Sequence, residues 1–135
     1  MITATVRIMA QFYDLDPMNI VWHGNYLRFF EQARCALLDR IGYNYDEMHA
    51  SGYHWPIVDA RLKYVRSVAF QQEIDVTATL VEYEHRLKIN YLARDVQTGA
   101  KTTTGTTIQV AVARDSGEMC FVSPAVLTEK LARLL

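Results

Sequence analysis

The sequence predicts an α+β domain in which an antiparallel sheet of about five strands wraps around one long central helix. Several segments alternate apolar and polar residues with the period of two that is typical of strands with one buried face. One segment, 26–41, instead repeats its apolar residues with the helical period. An amphipathic helix cannot bury its apolar face alone, so the simplest arrangement is a sheet that covers it. With 135 residues, half of them hydrophobic, the chain has the size of a single domain, which we expect to span 1–135.

The first part of the chain is predicted to form a strand that leads into the long helix. Residues 2–12 carry apolar side chains at the even positions, and the segment 14–17 ends this strand. Gly42 supplies the expected helix stop, and a short second helix is predicted around 45–50. The apolar face of the long helix comprises Tyr26, Phe29, Phe30, Ala33, Leu37, Leu38 and Ile41.

The rest of the chain is predicted to be mostly strand. Three segments alternate with period two, and a fourth is rich in β-branched residues. A proline followed by regularly spaced leucines predicts a short C-terminal helix. The predicted strands are 58–64, 74–80, 87–94 and 101–113, and the predicted helix is 124–134.

The sheet face that points away from the helix is not fully polar in this prediction. Val65, Val81, Leu92, Val96 and Ala111 interrupt it. A mixed outer face favours pairing with a second copy of the chain.

Composition and charge exclude several classes of protein. The 14 Lys and Arg and the 15 Asp and Glu residues are mixed along the chain, so we expect no nucleic-acid partner. Cys35 and Cys120 lie far apart without paired spacing, which predicts a reduced, intracellular protein. The N-terminus lacks the pattern of a secretory signal, and no segment is long enough to span a bilayer. The expected location is the cytoplasm.

The segment 12–26 carries the candidate chemistry. Asp16 precedes a proline, and its simplest interpretation is a turn or cap residue. In the alternative interpretation Asp16 takes part in a reaction, because the apolar run 20–22 would place its carboxylate against an apolar surface that excludes water. A carboxylate in that setting can act as a nucleophile or as a general base toward water. Asp14 is two residues away on an extended backbone, so we expect only one of the pair to enter the pocket.

Backbone amides at the helix start form the second part of the candidate site. The N–H groups of residues 22–25 are expected to lack intrahelical acceptors. With the helix dipole behind them, these amides around His23 can stabilise an oxyanion that develops on a thioester carbonyl. Local packing is the simpler interpretation of the His23 side chain, and capping that of Asn25. The other histidines show no ligand spacing with His23, so no metal is expected.

Other charged and reactive residues have simpler explanations. Glu31 can pair with Arg28 or Arg34 on the polar helix face, and Cys35 is expected to be a core thiol. Neither a nucleophile elbow nor a Gly-rich phosphate loop is present. Basic residues at strand positions either bind the phosphates of coenzyme A or an acyl carrier protein, or are ordinary solvated charges. They are Arg61, Lys63, Arg66, Arg86 and Lys88.

One run of residues comprises Tyr-Asp-Leu-Asp-Pro-Met-Asn-Ile-Val-Trp-His-Gly-Asn-Tyr at 13–26, followed by Phe29, Phe30, Glu31 and Arg34. This run resembles the signature of a known family, the 4-hydroxybenzoyl-CoA thioesterase-like hotdog proteins, which include the Tol-Pal-associated acyl-CoA thioesterases. The resemblance extends more weakly through 55–58 and the strands, over nearly the whole chain. The family often has Gly at the bend where Asn19 stands here, and Asn is the next most tolerant of positive φ, so we expect the bend to be kept.

The resemblance implies the hotdog fold, an acyl-CoA thioesterase activity and no cofactor. By the match, Asp16 corresponds to the catalytic aspartate of the family, and the region of His23 corresponds to the amide that binds the thioester carbonyl. The resemblance also implies homodimers or homotetramers with active sites shared across a subunit interface.

The expected function is therefore hydrolysis of an aryl or short- to medium-chain acyl-CoA, with Asp16 as nucleophile or general base. Two alternatives stay open. One is a hotdog dehydratase or hydratase, although the His followed by Pro-Gly of those relatives is absent. The other is a non-catalytic module that binds acyl-CoA or an acyl carrier. The acyl group is expected to lie near Trp22, Tyr26, Tyr53 and Trp55. The other expected substrate contacts are Asn25 at the helix start, and Arg66, Arg86 and Lys88 near coenzyme A.

Overall fold

A computed structural model describes residues 1–135 and contains a five-stranded antiparallel sheet packed against one long helix. Two single-turn 3-10 helices, Phe12–Asp14 and His23–Asn25, flank the segment that leads into the long helix. None of the helices combines the length and the apolar character needed to cross a bilayer. The elements in chain order are β1 (Thr3–Met9), α1 (Tyr26–Ile41), α2 (Tyr45–Ala50), β2 (Tyr53–His54), β3 (Ile57–Tyr64), β4 (Glu73–Glu82), β5 (Leu87–Asp95), β6 (Lys101–Gln109), β7 (Val112–Ala113) and α3 (Ala125–Ala132).

The strands of the main sheet lie in the order β1-β4-β5-β6-β3, and every neighbouring pair is antiparallel. Alternate residues of the central strands are buried against α1, as the period of two predicted. The structure therefore confirms the predicted α+β fold with five strands and one long helix. A separate two-stranded ladder joins β2 to β7.

The long helix lies close to the sheet because one strand carries glycine beneath it. The ring of Phe30 is fully buried and stacks on Tyr91 of β5, with ring centroids 4.5 Å apart. A Cβ atom at Gly105 would lie only 2.4 Å from the Phe30 ring. The missing side chain of Gly105 thus allows α1 to approach β6. At the other end, Gly42 adopts a φ of 80° and ends the helix, as predicted.

Two predicted strands are shorter in the structure. β1 ends at Met9 rather than at residue 12, because the chain turns into the 3-10 helix Phe12–Asp14. The carboxylate of Asp14 accepts a 2.8 Å hydrogen bond from the Gln11 amide and stabilises that turn. The predicted strand 101–113 is divided into β6 and β7, since the chain leaves the main sheet after Gln109 to pair with β2.

The outer face of the sheet is largely polar at its centre, and of the five apolar residues predicted there only Val81 and Leu92 lie within strands of the main sheet. Ala111 is buried in the core, and Val65 lies beyond β3 beside a cavity. Leu92 lies in the middle of this face, where Arg61 and Lys63 are charged and the other polar positions carry hydroxyl or amide groups. Those positions are Thr77, Thr79, Asn90, Thr104 and Thr106.

Strand β3 forms an open edge of the sheet. It pairs only with β6, so one row of its backbone groups faces away from the sheet. Ile57, Val58 and Tyr64 of β3 and Leu27 of α1 are each about half exposed along this edge. The groove between α1 and β3 is therefore accessible from the side.

Candidate functional site

The loop before α1 is anchored by Asp14 rather than by Asp16. The Asp14 side chain is buried, and its main-chain carbonyl accepts hydrogen bonds from the Trp22 amide at 2.9 Å and from Asn25 Nδ2 at 2.8 Å. The Asn25 amide group is thus occupied by a loop carbonyl and is itself buried. Asn25 ties the helix start to the loop instead of lying free to meet a substrate, which differs from the prediction.

Asp16 lies at the first position of a tight turn. Its amide donates to the Ile20 carbonyl at 2.8 Å, and its carbonyl accepts from the Asn19 amide at 2.9 Å. Asn19 closes the turn with a φ of 62°, so the predicted bend with positive φ is confirmed. Asp16 Oδ1 accepts a 2.8 Å hydrogen bond from the Met18 amide, while Oδ2 has no protein partner. The turn therefore fixes the carboxylate and leaves one oxygen available.

Asp16 lines a cavity of about 220 Å³ between the loop, the start of α1 and the end of β3. Asp14 does not line this cavity. Most of the wall is apolar or aromatic, and the other lining residues are polar or charged. The wall is formed by Met18, Ile20, Val21, Tyr26, Tyr64 and Val65, and the polar groups belong to Asp16, His23, Arg66 and Ser67.

The helix start presents fewer free amides than the sequence predicted. Residues His23–Asn25 form a 3-10 turn before the α-helix begins at Tyr26. The Trp22 amide donates to the Asp14 carbonyl, and the Asn25 amide donates to the Trp22 carbonyl at 2.9 Å. The amides of His23 and Gly24 have no protein acceptor. Two of the four predicted backbone donors are therefore available. One belongs to His23, which lines the cavity, and the other to its neighbour Gly24.

Aromatic side chains enclose the helix start. The Tyr64 hydroxyl donates a 2.8 Å hydrogen bond to the His23 carbonyl, and its ring packs edge-on against Tyr26 with centroids 5.4 Å apart. The Trp22 indole lies over Gly24, where a Cβ atom would be 2.4 Å from the ring. Burial raises the pKa of the Tyr26 phenol, so this group stays protonated at neutral pH. Tyr64 was not predicted as a site residue, although its position at the inward-facing end of β3 could have indicated it.

The predicted substrate contacts are only partly brought together. Arg66 lies at the cavity and also borders a polar groove of about 520 Å³, and its guanidinium has no ion-pair partner. Arg86 pairs with Glu82 at 3.0 Å, and Lys88 lies on the outer face of β5. Neither residue lines the cavity.

Trp55 is likewise separate from the cavity. It is 7% exposed, and its indole N–H donates to the Tyr43 hydroxyl at 3.1 Å. The two rings pack edge-on, and Gln109 donates to the Trp55 carbonyl at 2.7 Å. Trp55 is thus a core residue, because its aromatic surface is already covered within the chain. No three His, Cys, Asp or Glu side chains are grouped as metal ligands would be.

Comparison with known proteins identifies the family and the fold of the chain. A family model described as the thioesterase-like superfamily matches residues 10–131. A provisionally named esterase of Synechocystis sp., sll0410, is 28% identical over 130 residues, which is 96% of this chain and 78% of that protein. The solved structure of DHNA-CoA thioesterase from Staphylococcus aureus superposes with a TM-score of 0.86 at 24% identity, over 99% of this chain and 91% of that one.

A further solved structure is a mutant 4-hydroxybenzoyl-CoA thioesterase complexed with 4-hydroxybenzoyl-CoA. It superposes with a TM-score of 0.82 at 18% identity, over 96% of this chain and 99% of that one. At these identities the two structures establish a shared hotdog fold. The family match covers most of the sequence and includes the loop, the helix start and every strand of the main sheet except β1. The chain therefore belongs to the thioesterase-like superfamily.

Proposed function

We propose that this protein hydrolyses the thioester bond of acyl-coenzyme A in the cavity beside Asp16. One observation carries the proposal. A carboxylate with an unpartnered oxygen and a helix-start residue with an unpartnered amide, His23, line the same cavity. Acyl transfer needs a group that attacks the carbonyl carbon or activates water, together with donors for the carbonyl oxygen. The two features supply these two requirements.

Asp16 can act by either of two routes, and in both the reactive atom is Oδ2, because Oδ1 is held by the Met18 amide. As a nucleophile, Asp16 bonds to the acyl carbon, the coenzyme A thiolate leaves, and water then hydrolyses the mixed anhydride. As a general base, Asp16 takes a proton from a water molecule that attacks the acyl carbon, and the thiolate leaves. Rapid-quench mass spectrometry distinguishes the routes, since only the first adds the mass of the acyl group to the protein.

The oxyanion would be bound by the amides of His23 and Gly24. These N–H groups stand at the positive end of α1, which is 16 residues long, so the helix dipole adds to their hydrogen bonds. Loss of one such donor typically lowers kcat by about 10²–10³. The role of His23 is thus assigned to its backbone rather than to its imidazole.

The two ends of the substrate would lie on opposite sides of Asp16. Tyr26 and Tyr64 supply apolar surface for the acyl group, whereas Trp22 lies over Gly24 and does not line the cavity. Arg66 supplies a cation for the phosphates of coenzyme A, or for the acidic surface of an acyl carrier protein. Arg86 and Lys88 lie outside the cavity of the chain, so we assign them no substrate contact.

The open edge of β3 is proposed to pair with β3 of a second copy. The strand exposes backbone donors and acceptors and half-exposed apolar side chains, which are costly to leave in water. Antiparallel self-pairing around Ala60 places Asp59 of one copy opposite Arg61 of the other. Pairing around Arg61 instead places Asp59 opposite Lys63. If β3 pairs in this way, we expect light scattering coupled to size-exclusion chromatography to give the mass of a dimer or of a larger even-numbered oligomer.

The decisive experiment measures thiol release from a panel of acyl-CoAs. We expect the wild type to release free coenzyme A, and Asp16→Asn to abolish release. Asp14→Asn is the matched control, because it makes the same chemical change in the same loop while Asn can still accept from the Gln11 amide. Binding without thiol release would favour the non-catalytic module, and water addition or loss without free thiol would favour the dehydratase or hydratase.

A further inference from the structure

We infer that a hollow around Arg34, in the groove between α1 and β3, binds the far end of the acyl group and selects acyl chains that end in a carboxylate. This inference rests on the thioesterase function proposed above, because it concerns the other end of the same substrate. It assigns a specificity-determining role to a buried cation that the proposed chemistry does not use.

The hollow has a volume of about 270 Å³ and is separate from the Asp16 cavity. Arg34 is its one buried charge, since the residue is only 8% exposed. The other charged residues that line it, Arg28 and Glu31, are exposed. Leu27, Ile57 and Ala60 supply apolar wall.

The guanidinium of Arg34 is under-satisfied by the protein. It contacts the Tyr45 hydroxyl at 3.3 Å, the Tyr91 hydroxyl at 3.4 Å and the Glu31 carboxylate at 3.5 Å. All three distances are longer than the 2.7–2.9 Å or so of charge-assisted hydrogen bonds. An arginine carries five N–H donors, so donor capacity remains. A buried cation with weak partners is stabilised by any acceptor that reaches it.

The hollow and the Asp16 cavity lie at two points along the same side of β3. Along β3 the inward-facing residues are Tyr64 at the cavity, then Leu62, then Ala60 at the hollow. The space above Gly105 of β6 is filled by the Phe30 ring, so an acyl chain that joins the two sites would run along the half-exposed edge beside Leu27 rather than over Gly105. Four residues of extended strand span about 13 Å. An extended acyl chain with its carbonyl at Asp16 would therefore pass Leu62 and end near Arg34.

A carboxylate is the group that best matches this end of the groove. Its two oxygens accept the parallel N–H groups of an arginine fork, with charge assistance. Glu31 competes weakly, because its side chain is 59% exposed and can turn to water. A methyl-ended chain would displace water from Arg34 without replacing the hydrogen bonds.

The test compares pairs of substrates on the whole purified protein. Each pair consists of a dicarboxylic acid mono-CoA thioester and the monocarboxylic acyl-CoA of equal chain length, and kcat/KM is measured over a series of lengths. We expect the carboxyl-ended substrate to be preferred by about tenfold or more at the length that bridges the groove. Arg34→Gln is expected to remove the preference. The matched control Arg40→Gln removes the same charge from the exposed end of α1 and is expected to keep it.

Equal kcat/KM for both members of every pair in the wild type would overturn the inference while leaving the thioesterase proposal intact. Hydrolysis of no thioester at all would overturn both. Thermal unfolding establishes whether Arg34→Gln is folded. If it is not, Arg34→Lys is measured in its place, since it keeps the charge and loses the fork. A preference that survives undiminished in the folded variant would also overturn the inference.

Discussion

The hydroxyl of Tyr64, at the end of the edge strand β3, donates a 2.8 Å hydrogen bond to the carbonyl of His23 at the start of α1. The bond joins the sheet edge to the helix start across 41 residues of sequence. The ring of Tyr64 also packs edge-on against His23 and Tyr26. Tyr64 thus holds, from the sheet side, the peptide group between His23 and Gly24, whose N–H is the free Gly24 amide.

Tyr64→Phe keeps the ring and removes this hydrogen bond. We expect kcat for thioester hydrolysis to fall by several-fold, about tenfold at most, because a net hydrogen bond contributes roughly 0.5–1.5 kcal/mol. KM and the melting temperature should change little, since the bond lies at an exposed position. Tyr13→Phe is the control, because that hydroxyl is exposed and has no protein partner. An unchanged kcat in Tyr64→Phe would contradict a positioning role.

The backbone role of His23 can be tested with proline. His23 is the first residue of the 3-10 turn, a position where proline is tolerated, and its amide has no protein acceptor to lose. Trp22 has φ −60° and ψ 135°, which suits the residue before a proline. We expect His23→Pro to fold and to lower kcat by about 10²–10³.

His23→Ala is the paired variant for this test. It removes the imidazole and keeps the amide, so we expect it to retain most of the activity. Comparing kcat of His23→Pro and His23→Ala shows whether the loss of activity comes from the backbone donor or from the imidazole. If alanine lowered kcat as much as proline, the imidazole and not the amide would be the important group.

The contact between Trp22 and Gly24 predicts a second local effect. A methyl group at residue 24 would overlap the indole, which is about half exposed and can swing outward. We expect Gly24→Ala to raise KM and to increase quenching of tryptophan fluorescence by acrylamide, since Trp55 is buried and should not respond. In a Trp22→Ala background the same substitution should have little effect on KM, because the two changes act through one contact.

The sequence predicted the parts of the site that depend on local backbone chemistry. Asn19 occupies the left-handed turn, and Gly42 ends the helix, because few other residues tolerate positive φ. The alternation of residues along the strands predicted equally well which face of the sheet a residue lies on. Lys88 lies between Leu87 and Ile89, which face the core, so its place on the outer face follows from the same alternation.

Features that depend on contacts between segments distant in the sequence were not predicted. The Asp14 carbonyl accepts hydrogen bonds from the Trp22 backbone amide and the Asn25 side-chain amide, an approach that no local pattern indicates. Trp55 was expected near the acyl group from its aromatic neighbours, yet Tyr43 covers it in the core. An aromatic residue is equally suited to a core and to a pocket, and only packing decides between them.

Acid stability should depend on Asp95, which closes the turn between β5 and β6. Hydrogen bonds from the Thr98 amide at 2.7 Å and from Gln72 at 2.9 Å favour the charged form and lower the pKa of Asp95. A lowered pKa in the folded state means that the stabilisation is present above the unfolded-state value of about 3.9 and is lost as pH falls below it.

Asp95→Asn should therefore lower the melting temperature at neutral pH, and the difference from the wild type should shrink as the pH falls below about 4. Thermal unfolding followed by circular dichroism across this pH range measures it. Asp115→Asn, in the exposed turn after β7, serves as the control and should give no such pH-dependent difference. A difference that grew toward low pH would have the wrong sign for this mechanism.

The close approach of α1 to the sheet predicts a specific sensitivity at Gly105. A Cβ atom there would lie 2.4 Å from the Phe30 ring and 2.9 Å from the Arg61 carbonyl oxygen, and neither the buried ring nor the backbone can move freely. We expect Gly105→Ala to lower the free energy of unfolding by about 1–3 kcal/mol, the usual cost of overpacking a core. Chemical denaturation measures the loss, and Thr79→Ala on the outer face of β4 is the control. Phe30→Leu in the Gly105→Ala background should recover part of the lost stability, because leucine is shorter than the ring that the new methyl group meets. If the stability losses of the two single variants simply add, the Arg61 carbonyl is the main obstacle.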